Sequence, residues 1–454
     1  DAEGGAFMTK TVEITGINHA GEGVGRIDNT VVFVPHTAPG DIVEIEVVSK
    51  QKKYLRGQIV QVKEASKDRI TPRCPHAHDC GGCQFQHISY EAQLHWKKIQ
   101  VEEALRRIGH LEVDVADVLG MDDPTFYRGK AQYPLGGRPG EVVMGFFRRG
   151  THDIVDLKHC MVQHPLIEKM AHAVRATIQD LGLPPYDEER HRGVFRHAVI
   201  RVSFSEQKLM LVLVTRTENI PLQDELITRL RSAVPELSSI AHNVNPKVTN
   251  VIFGDKTRIL WGEPYIYEQI GSMRYAISPR SFFQVNPIQT KVLYDKVKEL
   301  ANLKGHETVL DLYCGTGTIG LYLADNLGHL VGVETIADAV ADAKYNAQIN
   351  DVTSAEFLTG KAEGVVPQLV KKTGSIDLAI LDPPRKGCDP VVLESLVGAG
   401  IPKIVYVSCN PATLARDMVY LVEHGYIPGQ VQPVDMFPWT SHVECVTLMS
   451  RVKD

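Results

Sequence analysis

Alternation of apolar and polar positions dominates residues 9–66. Short β-branched runs, TVEITGI, TVVFVP, DIVEIEVVS and LRGQIVQVKEAS, are separated by turn-rich stretches such as HAGEGVGRIDNT and HTAPGD. Such runs at a spacing of about ten residues predict a small all-β barrel. A longer period follows. In SYEAQLHWKKIQVEEALRRIG, residues Leu94, Ile99, Val101, Leu105 and Ile108 recur at helical spacing and predict an amphipathic helix. VIRVSF and LMLVLVTR predict a strand pair, so residues 67–270 read as an α+β domain whose topology the pattern leaves open. From 271 to 454 the apolar runs VLDLY, LVGVE, LAILD and IVYVS alternate with helical stretches. That rhythm predicts a doubly wound, Rossmann-like parallel sheet.

Composition narrows the picture only in places. A chain of 454 residues has room for two or three domains. The first seven residues, DAEGGAF, precede Met8 and read as an expression remnant, so 1–8 is set aside as tag and start. No apolar run approaches the ~20 residues of a membrane span and no signal-peptide core is visible, so no membrane association and a cytoplasmic location are expected. The net charge of −6 gives no global sign of a nucleic-acid partner. A basic face would have to be local, with Lys50, Lys52, Lys53, Arg56, Arg148, Arg149, Arg190, Arg192, Arg196 and Arg201 as candidates.

The eight cysteines are few for this length and argue for metal or catalytic roles rather than disulfides. CPHAHDCGGC sets Cys74, Cys80 and Cys83 as C-x5-C-x2-C, and Cys160 is the nearest remaining cysteine. Four thiolates suit structural zinc or an iron–sulfur cluster, and spacing does not choose between them. His76, His78 or His159 would serve in a mixed zinc site.

VLDLYCGTGTIGLYLA runs from strand through a G-x-G-x-x-G turn into helix, a pattern that NAD and S-adenosylmethionine sites share. Glu334 ends the next strand, where a carboxylate can hold ribose hydroxyls. LDPPRKG at the end of a later strand discriminates: a dinucleotide site gives no reason for it, whereas S-adenosylmethionine-dependent methyltransferases place an acidic-Pro-Pro segment there. In an open α/β sheet, ligands bind outside the carboxyl ends of the strands. Asp311, Glu334, Asp382 and Cys409 all fall at such ends. Cys409 abuts Asn410-Pro411, a helix start, so its thiol is expected to ionise below its ordinary value of about 8.5. A last antiparallel strand, SHVECVTLM, would bring Glu444 towards Cys409. A carboxyl in so apolar a strand should have a raised pKa, suited to a general base, with His442 as the rival.

Two resemblances now carry weight. GINHAGEGVGRIDNTVVFVPHTAPGDIVEIEV resembles a TRAM domain, an OB-like RNA-binding barrel. SFFQVNP, DLYCGTGTIG, LDPPRKGCD, VSCNPATLARD and FPWTSHVECV resemble the RNA uracil-5-methyltransferase family, over nearly the whole chain and most closely its 23S rRNA branch. The tRNA branch is expected to lack both the barrel and the four cysteines. The resemblance implies a TRAM barrel over 9–66, a central iron–sulfur and RNA-binding domain over 67–270, and a methyltransferase domain over 271–454. It further implies that Cys74, Cys80, Cys83 and Cys160 hold a [4Fe-4S] cluster. Gln284, Tyr313, Glu334 and Asp382 would bind S-adenosylmethionine or line its pocket, Cys409 would be the nucleophile and Glu444 the base. Arg385 is the candidate donor to the uracil O4. The expected activity is methylation of C5 of specific uridines in 23S rRNA by a monomeric enzyme. The alternatives are a tRNA uracil-5-methyltransferase and a non-catalytic RNA-binding iron–sulfur protein.

Overall fold

A computed structural model describes residues 9–452; the presumed tag and start at 1–8 lie outside the described residues. Thr9–Glu13, Gly16–Ile17, Gly23–Ile27, Thr30–Val34, Ile42–Lys50 and Tyr54–Glu64 form one six-stranded sheet. The sheet wraps a core of its own, made by Val12, Ile14, Val32, Val34, Val43 and Ile45. Gly23–Ile27 lies in the stretch read above as a turn. Its glycines are a requirement of close packing: a Cβ on Gly23 would meet Thr37 Oγ1 at 1.7 Å, and one on Gly25 would meet Val12 Cγ1 at 2.3 Å.

A seven-stranded mixed sheet between Lys130–Arg138 and Lys256–Gly262 forms the central region. Phe195–Ser203 and Lys208–Thr215 are antiparallel neighbours within it, as VIRVSF and LMLVLVTR predict, with Ile200 opposite Leu211. Helices Pro165–Asp180 and Gln223–Ala233 bury their apolar faces with this sheet.

Helix Tyr90–Arg107 starts where the Ser89 side chain accepts the Ala92 N–H. Its buried face is Gln93, Lys97, Val101 and Leu105, a four-residue repeat that includes two polar residues. Ile108, placed on the stripe by spacing, is 51% exposed because it falls past the helix end. The helix packs against Pro411–Glu423 near the C-terminus. Val101 and Leu105 join the C-terminal core, worth about 1.5–3 kcal/mol each at full burial. The 67–270 stretch therefore contributes part of the C-terminal core, and the two regions interleave along the chain.

The C-terminal sheet has eight strands, numbered here in chain order: β1 Thr308–Leu312, β2 His329–Glu334, β3 Ala355–Thr359, β4 Leu378–Leu381, β5 Lys403–Ser408, β6 Tyr426–Pro428, β7 Gln432–Val434 and β8 Glu444–Arg451. Their order is β3-β2-β1-β4-β5-β8-β6, with β7 also on β8. β1 to β5 are parallel and β8 is antiparallel to β5. The strand order reverses at β1 and β4, which opens a crevice at their carboxyl ends.

One buried ion pair ties the helix to this sheet. Lys97 Nζ donates to Asp435 Oδ1 at 2.6 Å, with both side chains at most 1% exposed. The Tyr90 hydroxyl donates to Asp435 Oδ2 at 2.8 Å, and Lys97 also donates to the Phe437 carbonyl at 3.2 Å. Removing one partner strands a charge in a dry site. Lys97→Ala is expected to lower the unfolding free energy by about 3–5 kcal/mol in urea titrations. A loss below about 1 kcal/mol, the surface-pair range, would show that water or relaxation replaces the bond.

Candidate active site

The antiparallel register of β5 and β8 places the chemistry. Ser408 pairs with Cys445, so Cys409, one residue beyond β5, faces Glu444, the first residue of β8. The turn after β5 is fixed locally. Ser408 Oγ accepts the Asn410 N–H at 3.0 Å, and the Asn410 side chain caps helix Pro411–Glu423 through the Ala412 N–H at 3.1 Å. Gln284, Tyr313, Glu334, Asp382, Cys409 and Glu444, from six separate segments, all line one cleft of about 1590 Å³.

The Gly-rich turn supplies the far end of this cleft. Tyr313, Gly315 and Gly317 all have positive φ, which opens the strand-to-helix turn. Glu334 accepts the Gly315 N–H at 3.2 Å through one carboxylate oxygen and the Ile336 N–H at 3.0 Å through the other. Asp311 lies beneath the turn. Its Oδ2 accepts the Gly320 N–H at 3.0 Å, while its Oδ1 is buried without a partner among the described residues. Burial pushes the Asp311 carboxyl up to about 8, with Asp382 and Glu334 adding to the rise. Burial also raises Asp382, to about 7. Glu444 is raised well above the usual carboxylate range by burial and then by Asp382.

Crowded acids reverse the expectation for Cys409. Its thiol is pushed up to about 11 rather than down, by burial first and then by Glu444 and Asp382; Arg385 opposes them without prevailing. The helix start is one residue further on, and Glu444 and Asp382 line the same cleft as the thiol. His442, the rival base, is lowered to about 4 by burial and by Arg385, whose guanidinium lies 3.4 Å from its Nδ1. It is therefore a neutral, weak base.

Sequence reading quoted the segment ahead of Glu444 within the motif FPWTSHVECV but missed the contacts that hold it in place. Residues 435–442 are bonded from several sides: Asn286 Nδ2 to the Met436 carbonyl at 3.0 Å, the Tyr127 hydroxyl to the Pro438 carbonyl at 2.8 Å, and the Trp439 N–H to Gln93 Oε1 at 3.0 Å. The Gln84 and Phe85 N–H groups both donate to the Trp439 carbonyl at 3.0 Å, directly after Cys83. A polar residue inside the helical stripe, Gln93, was the available signal.

Cys74, Cys80, Cys83 and Cys160 are free thiols in one neighbourhood. Cys83 is pushed up to about 12 by burial, with Cys160, Cys80 and Cys74 each adding to the rise. Among the described residues no three His, Cys, Asp or Glu side chains have metal-ligating geometry. Of the proposed basic face, Arg196 and Arg201 are 4% and 3% exposed. Both donate to backbone carbonyls, Arg196 to Asn245 and Arg201 to Ser281, so they are internal braces rather than surface charges.

Fold and cleft together define a methyltransferase that uses S-adenosylmethionine. The profile of the tRNA (uracil-5-)-methyltransferase family matches residues 89–452, and that of the TRAM domain matches residues 7–60. The chain belongs to the RNA uracil-5-methyltransferase family. It is 47% identical over 439 residues to an uncharacterized RNA methyltransferase of Halalkalibacterium halodurans, covering 96% of each chain. An uncharacterized RNA methyltransferase of Clostridium tetani is 43% identical, with 98% of this chain and 97% of that one covered. The crystal structure of a Pyrococcus abyssi tRNA (uracil-54, C5)-methyltransferase with S-adenosyl-L-homocysteine superposes with a TM-score of 0.77 at 29% identity. It covers 97% of this chain and 100% of its own, so the likeness to a tRNA enzyme extends through the barrel. A barrel therefore does not by itself separate the rRNA from the tRNA branch. No helix among the described residues is long and apolar enough to cross a membrane.

The protonated Cys409 makes a direct prediction. Iodoacetamide should label Cys409 slowly near neutral pH, with a rate that climbs towards about pH 11. Glu444→Gln should move that profile to lower pH by removing a neighbouring negative charge. Peptide mass spectrometry reads the site, and a wild-type midpoint near the ordinary thiol value of about 8.5 would contradict the electrostatic picture.

Proposed function

We propose that the protein methylates C5 of specific uridines in 23S rRNA through a covalent bond between Cys409 and C6 of the base. The observation that carries this reading is a thiol and a buried carboxyl facing each other across β5 and β8 at the mouth of one cleft. Uracil C5 is a poor nucleophile while the C5–C6 double bond is intact. Cys409 gives up its proton to solvent and attacks as the thiolate; the S–C6 bond forms while the C5–C6 π pair moves to C5 and O4. Arg385, at the cleft wall, is assigned as donor to O4.

S-adenosylmethionine, when bound, supplies an electrophilic methyl group on a positively charged sulfur, a charge that offsets the carboxyls crowding Cys409. Gln284, Tyr313, Glu334 and Asp382 are assigned to hold it. The chemistry of the pocket fits: a positive-φ turn, a carboxylate at the end of β2 and an acidic wall. Once C5 carries its methyl group, Glu444 takes the C5 proton, the double bond re-forms and the Cys409 sulfur leaves. A carboxyl with a raised pKa suits this step better than the neutral His442. The target base has to leave its stack, at a cost of a few kcal/mol. The barrel and the cleft rim are assigned to offset that cost through phosphate and stacking contacts.

The ribosomal assignment rests on motif resemblance together with the four cysteines; the Pyrococcus abyssi enzyme favours tRNA as the second reading. We further read the enzyme as a cytoplasmic monomer. Cys74, Cys80, Cys83 and Cys160 are proposed to hold a [4Fe-4S] cluster. The donor set suits one, and the Gly82 N–H already donates to Cys80 Sγ at 3.3 Å, a bond that stabilises a thiolate. Its role would be to brace the Trp439 segment through Gln84 and Phe85, not to take part in the reaction.

Two experiments test these readings. Cys409→Ala should abolish tritium release from 5-tritiated uridine RNA and any covalent RNA complex. Glu444→Gln should instead accumulate a complex that survives denaturing electrophoresis, because elimination stalls. The trapped RNA should be 23S rRNA; capture of tRNA would overturn the ribosomal assignment, and normal turnover by Glu444→Gln would remove its role as base. For the cluster, anaerobically purified protein should be brown with about four irons per chain. Cys160→Ser should lose colour as readily as Cys80→Ser, and colourless protein with one zinc would exclude the cluster.

A further inference from the structure

We infer that Arg128, which lines the cleft, and Lys130 beside it form a binding site for an RNA backbone phosphate, backed by Arg201. Antiparallel pairing sets Arg201 directly opposite Lys130. Like charges in that position cost stability in any sheet. Arg128 adds a third cation, folded back so that its Nε donates to the Lys130 carbonyl at 2.9 Å. No carboxylate offsets them among the described residues: burial, then Arg201 and Arg128, push the Lys130 ammonium down to about 7. Arg201 is 3% exposed, and its Nε is buried with no hydrogen-bond partner among the described residues. Three crowded, partly desolvated cations without an anion are an expensive arrangement for a merely structural purpose.

Position supplies the ligand. Arg128 lines the same cleft as Cys409. The Gly129 N–H donates to the Val285 carbonyl at 2.6 Å, and Arg201 donates to the Ser281 carbonyl, so the cations are stitched to the wall that carries Gln284. Lys130 and Arg128 keep partial exposure, whereas Arg201 stays inside as a fixed positive background. An acceptor-only anion fits such a fork of donors, and an everted uridine brings its own phosphodiester to the cleft. A phosphate there would hold the nucleotide by its backbone while the base enters the cleft.

The inference rests on RNA as substrate and not on the ribosomal assignment, so the probe is a fluorescein-labelled oligouridylate with no ribosomal sequence. Its affinity is measured by anisotropy over a sodium chloride series for the wild type, Lys130→Met and Lys130→Arg. Lys130→Met should bind several-fold more weakly, with the salt slope smaller by about 0.7, the single-strand value for one phosphate contact. Lys130→Arg should keep the wild-type slope. The melting temperature of Lys130→Met should equal or exceed that of the wild type, since a like-charge contact is removed. S-adenosylmethionine affinity should be unchanged by calorimetry. An unchanged salt slope in Lys130→Met would overturn the inference, as would weak binding by Lys130→Arg. Loss of S-adenosylmethionine binding with RNA binding intact would also overturn it, by giving the cations to the methyl donor's carboxylate.

Discussion

The backbone pairing of β5 with β8 is the constraint on which the site depends. Side chains in a strand alternate between faces, so a slip of one residue would turn Glu444 away from Cys409 and expose an apolar position to the cleft. Nothing in either residue prevents such a slip. The register is held because Tyr406, Val407, Val446 and Met449 are fully buried and fit the core only one way. The geometry of the proposed catalytic pair is a by-product of core packing several residues away.

The cleft that results is electrostatically costly. Asp382 and Glu444 line it beside Cys409, with Asp311 beneath; Asp382 raises the proton affinity of the other three, and Glu444 that of Cys409. Without a ligand, burial and these neighbours hold the Cys409 thiol protonated near neutral pH. A thiol that is reactive only when positive charge and substrate arrive together is protected from adventitious electrophiles. The cations around Lys130 are strained with the reverse sign.

Much of this was legible in the sequence, for identifiable reasons. The parallel strands announce themselves as apolar runs, and the ends of those runs place Asp311, Glu334, Asp382 and Cys409 without any model of the helices. What failed was local. The strand Gly23–Ile27 hid behind glycines that pattern reading takes for turns, although their purpose is close contact with Thr37 and Val12. The Cys409 shift was misjudged because a helix start is visible in the sequence, whereas burial and the two carboxyls of Glu444 and Asp382 converging from distant segments are not. Arg196 and Arg201 looked like surface charge because nothing linear reveals that both face inward.

The Lys97–Asp435 pair has a consequence in time. Its partners are 338 residues apart, so during synthesis the helix that carries Lys97 leaves the ribosome on the order of tens of seconds before Asp435 exists. Throughout that interval the apolar face of Tyr90–Arg107 has no permanent cover, and its lysine has no counter-charge. The barrel can complete itself at once, because its six core residues all lie between Val12 and Ile45. The central sheet can follow, since the core it shares with its helices runs from Ala131 to Ile240, but the Lys97 helix and the C-terminal sheet cannot close until translation is nearly finished. Misfolding and chaperone dependence should therefore concentrate in that waiting helix, and a slow-translating message would lengthen the wait.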